Sequence, residues 1–262
     1  MKVTIITVVY NNRDKIQDAI HSVLSQDYDD IEYVIVDGAS TDGTVEVIQE
    51  AIKKYSERII KFVSEKDDGI YDAMNKGIRL ANGDIIGMLN SDDLYINDNV
   101  ISTVVKEFLE KKVYTIFADL VYARADDLDK IVRYYSSINF TPKKMAYGWM
   151  PAHPTFFVKR EVYKQFGLFK TDYMIAADYE LIARFLVKNK VSYSYIPKVL
   201  VKMRVGGAST ESLKSNWILN KEILRACKEN YIDTNILKVL SKYPKKLMGL
   251  VSKGKFSSLK GF

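Results

Sequence analysis

The chain has 262 residues, 47% of them hydrophobic, enough for one large domain core but with no apolar stretch long enough to span a bilayer. Its single cysteine, Cys227, excludes an internal disulfide framework and fits a reducing, cytoplasmic setting, and a strand-like run directly after Met1 gives no expectation of a signal peptide. Charge is uneven: residues 1–137 hold 16 basic and 25 acidic side chains (net −9), residues 138–262 hold 23 and 8 (net +15), and no nucleic-acid-binding motif accompanies the basic half.

In chain order, residues 3–10 form a β-branched run that ends at Asn11-Asn12, and Ile16, Ala19, Ile20, Val23 and Leu24 follow at helical spacing. A second apolar strand, 33–36, ends in the polar loop Asp37-Gly38-Ala39-Ser40-Thr41-Asp42-Gly43, before a helix with Val45, Val47, Ile48, Ala51 and Ile52 apolar. A third strand, 59–63, runs into Glu65-Lys66-Asp67-Asp68-Gly69, then a helix over 70–82. The fourth, 85–89, delivers Asn90-Ser91-Asp92-Asp93. Continuous apolar strands alternating with amphipathic helices predict an α/β fold with a mostly parallel central sheet and helices on both faces. Ligands in such sheets bind beyond the carboxyl ends of the strands. Asn11, Asp37, Asp67, Asp68, Asp92 and Asp93 all sit at such ends and are expected to converge on one crevice. Adjacent carboxylates leaving a buried strand suit a hard divalent cation that keeps positions open for phosphate oxygens. Ser-Asp-Asp is equally turn and cap chemistry, so this segment alone leaves both readings open.

Five ordered blocks carry a resemblance: Thr7-Val8-Val9-Tyr10-Asn11-Asn12, residues 36–44, residues 65–77, Ala81-Asn82-Gly83-Asp84, and Leu89-Asn90-Ser91-Asp92-Asp93. Together they resemble the family 2 nucleotide-sugar glycosyltransferases of the GT-A (Rossmann-like) fold, over roughly the first 210 residues. The resemblance implies that Asp37 hydrogen-bonds the base of the nucleotide, with Tyr10 and Asn12 flanking the nucleoside. Asp67 and Asp68 would contact the sugar or ribose, with Asn90, Ser91 and Asp92 also on the donor. Asp93 would bind Mn2+ or Mg2+. For Asp37 the alternative is a turn or helix-cap aspartate, and for Asp67 and Asp68 a turn before the helix at Ile70.

In the second half, Trp149-Met150-Pro151-Ala152-His153-Pro154 sets one of two histidines between prolines, where it could meet a sugar or phosphate or be a buried structural residue. In Ala176-Ala177-Asp178-Tyr179-Glu180 the resemblance implies that Asp178 is the catalytic base. Ala177 stands where the family has a first acid, Glu180 is the reserve, and capping of a helix over 179–187 is the alternative role for Asp178. Lys202 to Thr210 resembles the family's terminal loop, with Arg204 and Ser209 near the diphosphate but Gly206 or Gly207 in place of a histidine. Two domains are expected: 1–210, divided into a nucleotide-sugar half (1–97) and an acceptor half (98–210), and a basic helical extension, 211–262. No acid follows Asp233, and lysines alternate with apolar residues to the end, a pattern suited to peripheral contact with anionic lipid or to a solvated tail.

The resemblance thus implies an inverting, metal-dependent transfer from a nucleotide-sugar, UDP-linked most commonly, to a saccharide acceptor, possible substrates including a polyprenyl-diphosphate-linked unit of an O-antigen or capsule. A catalytically inactive, nucleotide-binding relative is the alternative. A nucleotidyltransferase is disfavoured, because Tyr10-Asn11-Asn12-Arg13 is not a glycine-rich phosphate loop.

Overall fold

The computed structural model describes residues 1–55, 59–205 and 213–242. Its first half alternates strand and helix: β1 (Val3–Val9), α1 (Arg13–Leu24), β2 (Ile31–Asp37), α2 (Thr44–Lys54), β3 (Ile59–Ser64), α3 (Ile70–Leu80) and β4 (Ile85–Met88). These strands pair in parallel in the order β3-β2-β1-β4. Every residue of β1 and β2 is buried, which is what their unbroken apolar runs require.

The second half is mixed. It comprises β5 (Leu94–Tyr95), α4 (Val100–Lys111), β6 (Thr115–Ala123), β7 (Ile131–Tyr135), β8 (Phe157–Lys159), α5 (Arg160–Phe166), α6 (Ala177–Ala183), β9 (Tyr193–Arg204), α7 (Leu213–Glu229) and α8 (Ile236–Leu240). The sheet continues from β4 as β8-β6-β9-β5, with β7 on the other side of β6. β8 is antiparallel to both β4 and β6, β9 is parallel to β6, β5 is antiparallel to β9, and β7 is antiparallel to β6.

Each face of the sheet buries its own core. On one side α1 and α4 supply Ile16, Ile20, Val23, Ile101, Val104 and Phe108. On the other, α3, α6, α7 and α8 supply Met74, Ile78, Tyr179, Ile182, Ile223, Cys227 and Val239. The helices expected as a basic extension therefore contribute to the same core as α6, and Val239 is fully buried. Among the described residues no helix is long and apolar enough to cross a membrane.

α3 lies close on β1, and Gly77 is what permits it: a Cβ there would stand 2.4 Å from Ile6 Cγ2. Alanine would favour the isolated helix by roughly 1 kcal/mol, yet overpacking of this kind costs about 1–3 kcal/mol and opposes it. Gly77→Ala is expected to leave the protein folded but less stable, with a lower urea midpoint at unchanged m-value; an equal or higher midpoint would show that Ile6 moves aside freely.

Candidate active site

The carboxyl ends of β1, β2, β3 and β4 deliver the predicted donor-side residues to one end of the sheet. Register aligns Val9 with Asp37 and Asp37 with Ser64. Asp37 closes β2 fully buried, accepting from the Ser40 N–H (3.0 Å) and hydroxyl and from the Ser64 hydroxyl (2.7 Å). It therefore organises its own turn, while α2 starts seven residues later behind Gly43. Asn11 takes a left-handed backbone (φ 47°), and its side-chain oxygen accepts from Thr41 N–H at 2.8 Å, joining the first two loops. A Cβ on Gly38 would meet Asp67 Oδ2 at 2.6 Å and the Tyr10 ring at 3.4 Å, so glycine lets Tyr10 and Asp67 meet across this backbone. Tyr10 is 66% exposed, a ring with an open face.

Asn12 Nδ2 donates to Ser91 Oγ at 2.8 Å, which ties the first loop to the Asn90–Asp93 turn. That turn closes through Asp93 N–H to the Asn90 carbonyl, 3.1 Å. Asp93 is 1% exposed, and the Asn90 amide lies 3.4 Å from its carboxylate. Burial, then the adjacent Asp92 charge, push its carboxyl well above the usual range, with Asn90 and Arg204 acting the other way. Arg204, predicted near the diphosphate, is 6% exposed: it donates to the Asp92 carbonyl at 2.9 Å and pairs with Asp18 of α1. It supports the turn from behind. Asp68 stands on the exposed turn before α3, and no hydrogen bond or ion pair among the described residues joins its carboxylate to the others. Gly206, Gly207 and Ser209 lie outside the described residues.

Asp178 and His153 meet on the other side. His153 Nδ1 lies 3.3 Å from Asp178 Oδ2, with side chains 36% and 19% exposed. Burial raises the Asp178 carboxyl, while the His153 charge and the Tyr179 N–H (2.7 Å) oppose that shift. Asp178 does not cap α6, whose N-cap position is Ala176. The N–H groups of Met174, Ile175 and Ala176 are taken at 2.6, 2.9 and 2.9 Å by Glu222 of α7. Sequence reasoning missed Glu222; the available signal was the scarcity of acids in the basic half. Glu180 is fully buried against Arg184 (2.9 Å) and Lys170 (3.2 Å), which removes the reserve candidate from the solvent side.

A cleft open to solvent joins the two sides. Asn90, Met88 and Met74 line it from the donor half, and His153, Phe169 and Asp178 from the other. Among the described residues no group of three or more His, Cys, Asp or Glu side chains is placed to hold a metal ion. Asp93 with Asp92 is a two-carboxylate offering.

The model for glycosyl transferase family 2 matches residues 4–168. The chain belongs to glycosyl transferase family 2. A glycosyltransferase of Mycobacterium tuberculosis (strain CDC 1551 / Oshkosh) of uncharacterized role is 30% identical over 184 residues, 70% of this chain and 68% of that one. TuaG of Bacillus subtilis (strain 168), named for teichuronic acid biosynthesis, is 41% identical over 98 residues, which is 37% of this chain and only 38% of TuaG. A PGL/p-HBAD biosynthesis glycosyltransferase of Mycobacterium bovis (strain BCG / Pasteur 1173P2) is 26% identical over 206 residues, 79% of this chain and 76% of that one. Among solved structures, S. aureus TarS 1-349 with UDP-GlcNAc superposes with a TM-score of 0.69 at 16% identity, covering 93% of this chain and 72% of TarS. The mannosyltransferase PcManGT of Pyrobaculum calidifontis, with GDP-Man and Mn2+, gives 0.65 at 22% identity, covering 92% and 68%. The shared fold is GT-A, and family and fold together make this family 2 chain a glycosyltransferase.

Proposed function

We propose that the chain transfers a sugar from a nucleotide-sugar, UDP-linked in the first instance, to a saccharide acceptor of surface-polysaccharide assembly by a single inverting displacement. The observation that carries this reading is the common cleft, lined by Asn90 at the start of the Asp92-Asp93 turn and by Asp178 opposite. Nucleotide-sugars and Mn2+ in the structural relatives, and the envelope-glycan names of the sequence relatives, support the substrate class.

On the donor side Asp37 has about four acceptor sites, of which Ser40 and Ser64 use three, leaving one for a base N–H. Tyr10 offers its open ring to the nucleoside. Asn12, Asp67, Asn90, Ser91 and Asp92 line the path from ribose to sugar. Asp93 and Asp92 fit a divalent cation: its charge relieves the penalty on a buried carboxylate beside another carboxylate, and two protein ligands leave positions for diphosphate oxygens and water. When bound, Mn2+ or Mg2+ supplies positive charge to the leaving diphosphate.

Asp178 takes the proton of the acceptor hydroxyl as that oxygen bonds to the anomeric carbon from the face opposite the diphosphate. The bond to the phosphate oxygen breaks on the other side, so an α-linked donor sugar emerges β-linked. His153 orients the Asp178 carboxylate and favours its charged form. The inactive-relative reading is disfavoured because Asp178 neither caps its helix nor is locked in a salt bridge with Lys or Arg.

Asp178→Asn keeps size and loses proton acceptance, so transfer is expected to fall by ~10²–10⁴-fold with donor affinity retained. The raised Asp178 pKa also sets a direction. The base works only when deprotonated, so activity falls as pH drops, with a midpoint above the ordinary carboxylate value. His153→Ala removes a favourable charge and moves that midpoint up; Glu222→Gln removes an opposing one and moves it down. Wild-type transfer by Asp178→Asn, or a pH–rate limb that neither substitution moves, sinks the base assignment.

Asp93→Ala is expected to abolish stimulation by Mn2+ or Mg2+ in a screen of UDP-, GDP- and dTDP-sugars. In the intact protein, metal binding releases a proton from Asp93, so affinity rises with pH through its raised pKa. Turnover in Asp93→Ala that still responds fully to the metal would remove Asp93 as ligand.

A lipid-linked acceptor, polyprenyl-diphosphate-bound, would be met at the cytoplasmic membrane face, where the basic tail adds attraction to anionic lipid. Removal of 243–262, which spares the buried Val239, is expected to reduce co-sedimentation with phosphatidylglycerol vesicles. Equal sedimentation of both forms would refute the peripheral contact.

A further inference from the structure

Beside the cleft runs a row of rings and cations that the transfer chemistry above leaves unused. Tyr122 of β6 stands opposite Arg133 of β7. The Arg133 guanidinium lies 5.3 Å from the Tyr122 ring centre and 5.8 Å from that of Tyr135. The Tyr135 and Trp149 rings follow with centroids 5.9 Å apart and a 31° tilt, and Lys144 Nζ ends the row 5.9 Å from the Trp149 ring. All five side chains are partly exposed.

The row is held from behind. Tyr135 donates its hydroxyl to the Met150 carbonyl at 2.8 Å, and the backbone N–H of Trp149 donates to the Lys144 carbonyl at 3.3 Å. It also borders both halves of the site. Tyr122 precedes Ala123, which pairs with Arg204, and Arg204 donates to the Asp92 carbonyl at 2.9 Å. Trp149 precedes His153 by four residues.

Rings that keep part of their surface exposed suit the C–H groups of a pyranose, since they bury apolar surface without stripping the hydroxyls of water. The partners of Arg133 and Lys144 among the described residues are rings and no carboxylate. A guanidinium and an ammonium so placed retain their hydrogen-bond donors for an anion, and Arg presents a fork matched to carboxylate or phosphate. The donor's phosphates belong at the Asp92-Asp93 turn, so the anion addressed here is on the other substrate.

We propose that Tyr135 and Trp149 carry the acceptor sugar and that Arg133 and Lys144 engage an acidic group on it, so that the acceptor is an anionic saccharide bearing a carboxylate or a phosphate. This rests on reading the cleft as a sugar-transfer site.

The chain's two tryptophans make the test direct. Trp217 is exposed on α7 and can be replaced, Trp217→Phe, so that emission reports Trp149 alone. Three probes are titrated without donor: methyl β-glucuronide, glucose 1-phosphate and neutral methyl β-glucoside. At least one anionic probe should give a saturable shift at about tenfold lower concentration than the glucoside, and Arg133→Gln and Lys144→Gln should each erase most of that preference. A response to the glucuronide marks an acidic sugar, one to the sugar phosphate a phosphate-bearing acceptor. Equal responses to all three, no saturable response to any, or a preference untouched by both substitutions overturns the proposal. Because no turnover is read, a failed transfer assay and a failed titration remain separate results.

Discussion

Register in the parallel half of the sheet is the constraint on which the site depends. Side chains alternate with a period of two, so a slip of one residue along β1 would turn its buried set to the wrong face. Both neighbours fix it. Val3 lies opposite Ile31 of β2 and Ile85 of β4. A polar seam reinforces the alignment: Tyr33 donates to the Thr7 hydroxyl at 2.9 Å, and Thr7 donates to the Leu89 carbonyl at 2.8 Å. Ile6 pairs with Met88, so β4 ends while β1 still has three residues to run. The Asn90–Asp93 turn therefore begins below the level where β1 and β2 finish, and Asp93 is buried while Tyr10 stands in solvent.

The other wall of the cleft is made by long-range contacts. Asp178 sits in the first turn of α6, and the loop before it is fastened by α7 through Glu222. Glu180, two residues on, is held by Arg184 at the end of the helix and by Lys170, and Lys170 also pairs with Glu229 at 2.6 Å. Arg225 joins Glu229 to Asp172. Two acids of α7 thus brace the segment that presents Asp178, in a half of the chain that holds only 8 acids. At the buried Glu180 such pairing is a poor source of stability but fixes geometry, because removing a partner strands a carboxylate that is out of reach of water.

This difference explains what could be read before the structure. β1 to β4, with α1 to α3, were legible because each strand is a continuous apolar run and each helix shows its own period. The exit loops were legible for the same reason. Beyond residue 93 the signals weaken: β5 has two residues and β8 three, and β6 finds partners near residues 131, 157 and 193. Pairings so distant leave no local pattern. Arg204 was expected to face the donor, yet its contacts are the Asp92 carbonyl and Asp18, because a terminal residue of β9 reaches the back of the β4 turn rather than its mouth. Glu222 had no motif at all; its role exists only once α7 lies against α6.

Asp93 and Asp178 show how one fold can place two carboxylates in different environments. Burial disfavours the anion of each. At Asp93 the nearest charge is another carboxylate, which adds to the penalty, and the closest positive group, Arg204, is engaged with Asp18 and a backbone carbonyl. Such a group is best satisfied by an added cation. At Asp178 the nearest charge is His153, a partner that can itself gain or lose a proton, and the open cleft lies alongside. Burial raises the Asp178 carboxyl, and the His153 charge works against that rise. The two environments follow from depth and neighbours: one carboxylate sits under the strand ends beside its twin, and the other in the first turn of a helix whose preceding loop Glu222 holds by its backbone N–H groups.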